Sequence, residues 1–346
     1  MRLQLQPPSL EDQRSDFARV RDALADEGFE VSAGLPLLRR LPRTLRDARW
    51  QVTATVVGQQ LVEVQAGDTT ARSFGLAFDI GTTTVVGMLL DLHSGAPRAV
   101  HSILNQQAPF GADVISRISH AMATENGLAE LNERIVQSLN TLIAQLLAES
   151  QVEAGEVYEA VVAGNATMLH LLLGIDPEAI GVTPFIPVVE AEQNVEAGAL
   201  GLEMHPQANV HCLPHLGAYV GADLVGGLLA TGLVRAEGLR LLVDVGTNGE
   251  IILGSMKRTV ATAAPAGPAF EGAEIQDGMR ADDGAIEAVR ITPQGVELQV
   301  IGDAPPLGIC GSGLLDAVAQ MRLAGVLDEG GRLIKAADAA ERLSPE

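Results

Sequence analysis

A chain of 346 residues with 23 Lys and Arg against 44 Asp and Glu carries a formal charge of −21. That balance argues against nucleic acid and against an anionic membrane surface as partners, because both demand basic patches. Hydrophobic residues at 47% supply an ample core, aromatics at 3% leave it to Leu, Val, Ala and Ile, and the length allows two or three domains.

The opening Met1-Arg-Leu-Gln-Leu-Gln-Pro-Pro8 lacks the apolar core of a signal peptide, and no later run reaches the ~18 apolar residues of a membrane span. Residues 1–72 read as a small α+β module. Ser9 is the predicted start of a helix in which Phe17, Val20 and Leu24 follow at helical spacing, with Gly28 ending it. Trp50 to Val57 and Gln60 to Val64 alternate like two antiparallel strands around Gly58. Arg39, Arg40, Arg43, Arg46 and Arg49 make this module locally basic and read as a solvated face.

Residues 73–236 open on two apolar runs, Phe74 to Phe78 and Val85 to Leu90, joined by a polar turn. The turn holds Asp79, Gly81, Thr82, Thr83 and Thr84. Its glycine lets an anion approach main-chain N–H groups, and the threonines add O–H donors. Asp79 repels phosphate directly but suits a hydrated Mg²⁺ that carries phosphates. A carboxylate between buried strands costs several kcal/mol unless a cation or hydrogen bonds compensate it. Asn105, Gln106 and Gln107 could donate to a ligand but read better as a polar loop between elements, and Asp113 as the cap of a helix through Val114, Ile115 and Ile118. Leu128 to Leu147 is an amphipathic helix with Leu131, Ile135, Leu139, Leu142, Ile143 and Leu146 on one face.

Tyr158 to Ala163 reads as a strand running into a helix start at Gly164-Asn165. Asn165 is either a nucleotide contact or a simple N-cap. His170 lies on an apolar helix face and reads as a packed core histidine. His211, Cys212 and His215 are too few for a closed zinc site. Cys212 and Cys310 make no disulfide framework, which assigns the chain to a reducing cytoplasm.

Residues 237–346 repeat the first pattern. Leu241 to Val243 leads into Asp244, Gly246, Thr247, Asn248 and Gly249, and Ile251 to Leu253 follows. The two aspartates are 165 residues apart, a spacing that suits two related lobes rather than a solenoid. Two ordinary hairpins would explain the glycines but not the duplicated carboxylate and hydroxyls. Further on, Gly311-Ser312-Gly313 at a helix start reads as a phosphate or nucleoside seat, or as tight packing.

The paired turns resemble the phosphate motifs of the actin, Hsp70 and sugar kinase superfamily. More narrowly, Phe78 to Thr84, Gly164 to His170, Gly267 to Gly272, Gly278 to Ala281 and Ile309 to Asp316 resemble the ATP-dependent reductive activators of corrinoid proteins. The resemblance covers nearly the whole chain and implies actin-like, ribonuclease H-like lobes with mixed sheets flanked by helices. It implies ATP held between the turns, with Asp79 and Asp244 orienting Mg²⁺ through water. Gly81, Thr82, Thr83, Thr84, Asn165, Gly246, Thr247, Asn248, Gly249, Gly311, Ser312 and Gly313 would contact the nucleotide, and Glu271 would be an acid near the γ-phosphate.

The implied output is the reduction of a corrinoid (cobalamin) protein from Co(II) to Co(I). The family carries a 2Fe–2S cluster on an N-terminal ferredoxin-like domain. Two cysteines cannot supply the four ligands that such a cluster needs, so an electron-donor module is expected outside this chain. An adenine-contacting glycine pair expected near the C-terminus has no convincing equivalent before Glu346. A homodimer stays open. The alternatives are a small-molecule kinase of the same superfold and a non-catalytic interaction fragment.

Overall fold

The computed structural model describes residues 1–246, 248–265, 275–279, 281–292 and 295–335. They fall into two compact units, Met1–Leu233 and Val234–Glu346.

The first unit begins with β1 (Arg2–Gln4), α1 (Asp16–Asp26), β2 (Ser32–Ala33), α2 (Leu35–Asp47), β3 (Gln51–Val57) and β4 (Gln60–Ala66). The strands form one sheet in the order β1-β3-β4-β2. Its core joins Val20 and Leu24 of α1 to Leu37, Leu41 and Leu45 of α2 and to Val52, Leu61 and Val64 of the hairpin. Gly58 turns the hairpin at a φ of 59°, a left-handed value that favours glycine. One expectation needs correction. The α1 cap is Ser15, whose side chain accepts the Ala18 N–H; Ser9 instead accepts the N–H groups of Glu11 and Asp12 in a turn of its own. The five arginines are exposed, as expected of a solvated face. Arg39, Arg40, Arg43 and Arg46 belong to α2, which buries leucines every fourth residue despite the internal Pro42. Arg40 reaches Glu63 on β4 at 2.9 Å, and Arg46 reaches Asp16 on α1 at 2.7 Å.

The chain continues through β5 (Phe74–Ile80), β6 (Thr84–Asp91), β7 (Pro97–Leu104), α3 (Val114–Ala123), α4 (Gly127–Ser150), β8 (Val157–Gly164), α5 (Ala166–Leu173), α6 (Glu178–Gly181), β9 (Gln193–Glu196), β10 (Asn209–Cys212) and α7 (Ala222–Thr231). Six strands form one mixed sheet, β7-β6-β5-β8-β10-β9. The β5-β6-β7 meander is antiparallel, whereas β8 runs parallel to both β5 and β10. A parallel neighbour requires a long crossover, and α3 and α4 supply it between β7 and β8. The amphipathic face of α4 is fully used: all six of its predicted core residues are at most 1% exposed, packed over β6 and β7. Each such side chain contributes roughly 1.5–3 kcal/mol through burial. Ile80 and Gly164 are register partners at the ends of β5 and β8. The first polar turn and the Asn165 helix start therefore leave the sheet side by side, at the carboxyl edge where α/β folds place ligands.

The second unit holds β11 (Arg240–Val245), β12 (Asn248–Ser255), β13 (Arg258–Pro265), β14 (Ala285–Thr292), β15 (Gly295–Val300), β16 (Gly308–Ile309) and α8 (Gly311–Leu323). The first three strands make an antiparallel meander, and β15-β14-β16 make a second sheet. α8 packs on β14, where Asp316 and Gln320 accept the Val289 and Ile291 N–H groups. The meander leaves Leu241, Val243 and Val245 exposed.

Leu139 is wholly buried at the middle of α4. Leu139→Ala should lower unfolding free energy by about 2–5 kcal/mol, read as a lower midpoint in urea denaturation followed by circular dichroism.

Candidate functional site

The turn after β5 is shaped from behind. Gly81 N–H donates to the Thr84 carbonyl at 3.0 Å, closing a tight loop. Its glycine is required by closeness rather than by a left-handed conformation: a Cβ there would lie 2.6 Å from Thr84 O. The carbonyls of the next peptides are all claimed by one rear shell. Asn105 Nδ2 donates to Gly81 O at 2.9 Å, Arg117 Nη2 to Thr82 O, and the Asn105 N–H to Thr83 O at 2.8 Å. In a trans peptide the C=O and the following N–H point in opposite directions. The amide edges of Thr82, Thr83 and Thr84 thus face away from the shell. An outward row of main-chain N–H groups is an anion-binding concavity.

The shell itself is buried and satisfied. Asn105, Gln107 and Arg117 are each at most 1% exposed. Gln107 N–H donates to Asn105 Oδ1 at 2.9 Å, and Gln107 Nε2 donates to Leu131 O at 2.9 Å. The predicted polar loop is therefore a structural support rather than a ligand contact. Arg117 lies on α3, whose cap Asp113 accepts the Ser116 N–H as the sequence indicated. Burial pushes the Arg117 guanidinium down to about 10, so it remains charged at neutral pH.

Asn165 does two jobs. Its Oδ1 accepts the Met168 N–H at 3.0 Å and caps α5, while its Nδ2 reaches Thr82 Oγ1 at 3.4 Å. Gly221, which precedes α7, packs so closely that a Cβ on it would lie 2.6 Å from the Asn165 Cα. The starts of α5 and α7 therefore crowd the first turn. Asp79 is exposed between the buried Phe78 and Ile80. The cost of burying a carboxylate, expected from its flanking apolar runs, does not arise: strand alternation turns it to the open face.

In the second unit Asp244 and Gly246 are exposed, whereas Asn248 and Gly249 are half-buried. Gly246 N–H donates to Asn248 O at 3.1 Å. Among the described residues, a Cβ on Gly246 would meet nothing nearer than 3.5 Å, and one on Gly249 nothing nearer than 3.6 Å. Asp244 is the register partner of Glu250, so the hairpin sets two carboxylates opposite each other. Like charges directly opposite are destabilising, and carboxylate oxygens are the donors that hydrated Mg²⁺ prefers. Glu250 was not singled out in the sequence; the hairpin register alone marks it. Thr247 and Glu271 lie outside the described residues. Ser312 is exposed, but Gly313 is needed for packing, since a Cβ would lie 2.0 Å from Ile286 O.

Three models of one protein family match the chain in succession. The RACo linker region matches residues 1–71, the RACo middle region residues 74–236, and the C-terminal ASKHA domain of RACo residues 238–345. The chain belongs to the RACo family of reductive corrinoid activators. The RACo fit is also structural: a solved reductive activator for a corrinoid, iron–sulfur protein superposes with a TM-score of 0.87 at 41% identity, over 96% of this chain and 54% of its own. The corrinoid activation enzyme RamQ of Eubacterium limosum is 37% identical over 281 residues, 81% of this chain and 47% of RamQ. A reductase of a Co(II) methylated amine-specific corrinoid protein from Methanosarcina barkeri is 24% identical over 66% of this chain and 42% of its own. The chain thus spans about half the length of these RACo relatives. Its actin-like ATPase architecture is that of the family.

Behind the RACo turn, His170 is packed in the core as expected. Its Nδ1–H donates to Ala166 O at 2.7 Å, and its Nε2 accepts the Val188 N–H at 3.1 Å. The His215 ring lies tilted against it, centroids 5.8 Å apart. Burial lowers both imidazoles below their ordinary 6.5. The neutral forms are the folded ones, so this stability is complete above 6.5 and is lost as pH falls through the lowered values. The urea midpoint should drop as pH falls below the ordinary imidazole value of 6.5, and His170→Gln should flatten part of that slope.

Proposed function

We propose that this chain is the nucleotide-driven module of a reductive activator: it binds and hydrolyses Mg·ATP and drives a corrinoid protein from Co(II) to Co(I). The electron comes from a 2Fe–2S module that this chain's two cysteines cannot supply. Family membership supports the output, and the names of the bacterial and archaeal relatives point the same way. The observation that carries the nucleotide reading is the first turn, whose carbonyls are all occupied from the rear.

Thr82, Thr83 and Thr84 donate main-chain and hydroxyl hydrogens to phosphate oxygens, with Asn165 steadying Thr82. Thr247, Asn248 and Gly249 do the same from the second turn. Asp79 and Asp244 hold water ligands of Mg²⁺, with Glu250 beside Asp244. Charge-assisted bonds of this kind contribute roughly 1.5–3 kcal/mol each. Bound Mg²⁺ neutralises charge on the phosphates; the protein's share is to position them and a water for attack. Glu271 is proposed as an acid near the γ-phosphate. Hydrolysis gives ADP and phosphate, and the one-electron step reduces cobalt; the phosphate contacts couple the two by favouring one conformation of the turns.

Gly246 offers a test, because among the described residues a Cβ at that position meets only an ordinary contact, Asn248 O at 3.5 Å. Gly246→Ala should melt with the parent chain yet bind Mg·ATP at least about 10-fold more weakly in calorimetric titration, since a methyl blocks close phosphate approach. Equal affinity would remove the second turn from the site. Asp79→Asn and Asp244→Asn should each weaken Mg·ATP by roughly 10–100-fold and leave the fold intact. ATP turnover should rise on addition of a corrinoid protein in its Co(II) state; no stimulation by any such protein would reject the output.

A further inference from the structure

Arg117 poses a physical problem. Its side chain is fully buried, a position in which a charge ordinarily requires a paired carboxylate. Its hydrogen-bond acceptors are neutral: Gly111 O at 3.0 Å, Gln107 Oε1 at 3.1 Å, Met168 Sδ at 3.1 Å and Thr82 O. Among the described residues none of these acceptors is an anion. Asp113 attracts it through space, but the Asp113 carboxylate is engaged with the Ser116 N–H as the helix cap. The site is nonetheless built for a guanidinium. Gly111 wraps so tightly that a Cβ there would lie 2.9 Å from the Arg117 Cγ. All of this surrounds the peptide whose other edge faces the proposed phosphates.

We propose that Arg117 is a positioning residue for the nucleotide's phosphates: it fixes the first turn through the Thr82 carbonyl and lends a buried, uncompensated positive charge to the anion across that peptide. The proposal rests on the nucleotide reading above. It explains why a cation is retained at a buried position where, among the described residues, no anion accepts its hydrogen bonds. The missing counter-charge is the triphosphate itself, so the charge is balanced only in the bound state. Low solvent access keeps the attraction strong and largely unscreened by salt.

Two substitutions remove the charge in different ways. Arg117→Met deletes it. Gln107→Glu keeps Arg117 but sets a carboxylate beside it, of the same shape as the present amide though without the donor that Gln107 Nε2 gives Leu131 O. Calorimetric titration with Mg·ATP and Mg·ADP, alongside thermal melting by circular dichroism, reads the result. Both variants are expected to bind Mg·ATP on the order of 10-fold more weakly or worse, with a smaller loss for Mg·ADP, and Arg117→Met also melts below the parent because the Gly111, Gln107 and Thr82 acceptors lose their buried donor. A role confined to shaping the turn would weaken both nucleotides alike, and that result overturns the proposal. So does unchanged affinity in either variant. Should Arg117→Met not fold, Gln107→Glu decides by the same ATP-to-ADP comparison. If the parent chain binds neither nucleotide, the nucleotide reading fails and this inference fails with it; parent binding with indifferent variants removes Arg117 alone.

Discussion

Three consecutive carbonyls of one turn, those of Gly81, Thr82 and Thr83, are held from behind by Asn105 and Arg117. Everything proposed about the first lobe depends on this grip. A polar turn free to rotate its peptides would present carbonyl and amide edges in a changing mixture, and phosphate would be repelled as often as attracted. Fixing the carbonyls inward fixes the amides outward before any ligand arrives, which is preorganisation in its simplest form. The grip is itself fixed by burial. Asn105, Gln107 and Arg117 can neither be hydrated nor rearranged without leaving polar groups unpaired in the core.

The second turn is built differently. It is the end of a β-hairpin within a three-stranded meander, and register alone sets its geometry. Gly81 is sterically obligatory, whereas among the described residues nothing crowds a Cβ on Gly246. The two motifs look alike on the page because both end a strand with Asp, an apolar residue, Gly and Thr. They differ in what makes the glycine necessary: local packing in the first, and by our proposal a visiting phosphate in the second.

Much of this was legible in the sequence. The six apolar residues of α4 repeat at helical spacing, and all of them are buried. Asp113 and Asn165 precede apolar helices, and both cap them. The α2 helix was missed for an equally physical reason. Pro42 interrupts its interior, and its arginines outnumber the three leucines that it buries. Ser9 resembled a cap because Glu and Asp follow it, but the apolar periodicity begins only after Ser15. The rear shell could not be read at all. Asn105, Gln107 and Arg117 are polar residues in a loop and a helix, where composition suggests solvent; their burial follows from tertiary packing that no local pattern announces. Glu250 was hidden in the same way, since only strand register places it opposite Asp244.

Hydrogen–deuterium exchange resolved at single amides, with and without Mg·ATP, tests the central claim most directly. The account expects the Thr82, Thr83 and Thr84 amides to slow markedly on nucleotide addition, while Asn105, already donating to Thr83 O, changes little. Unchanged exchange at those three amides under saturating Mg·ATP would contradict it.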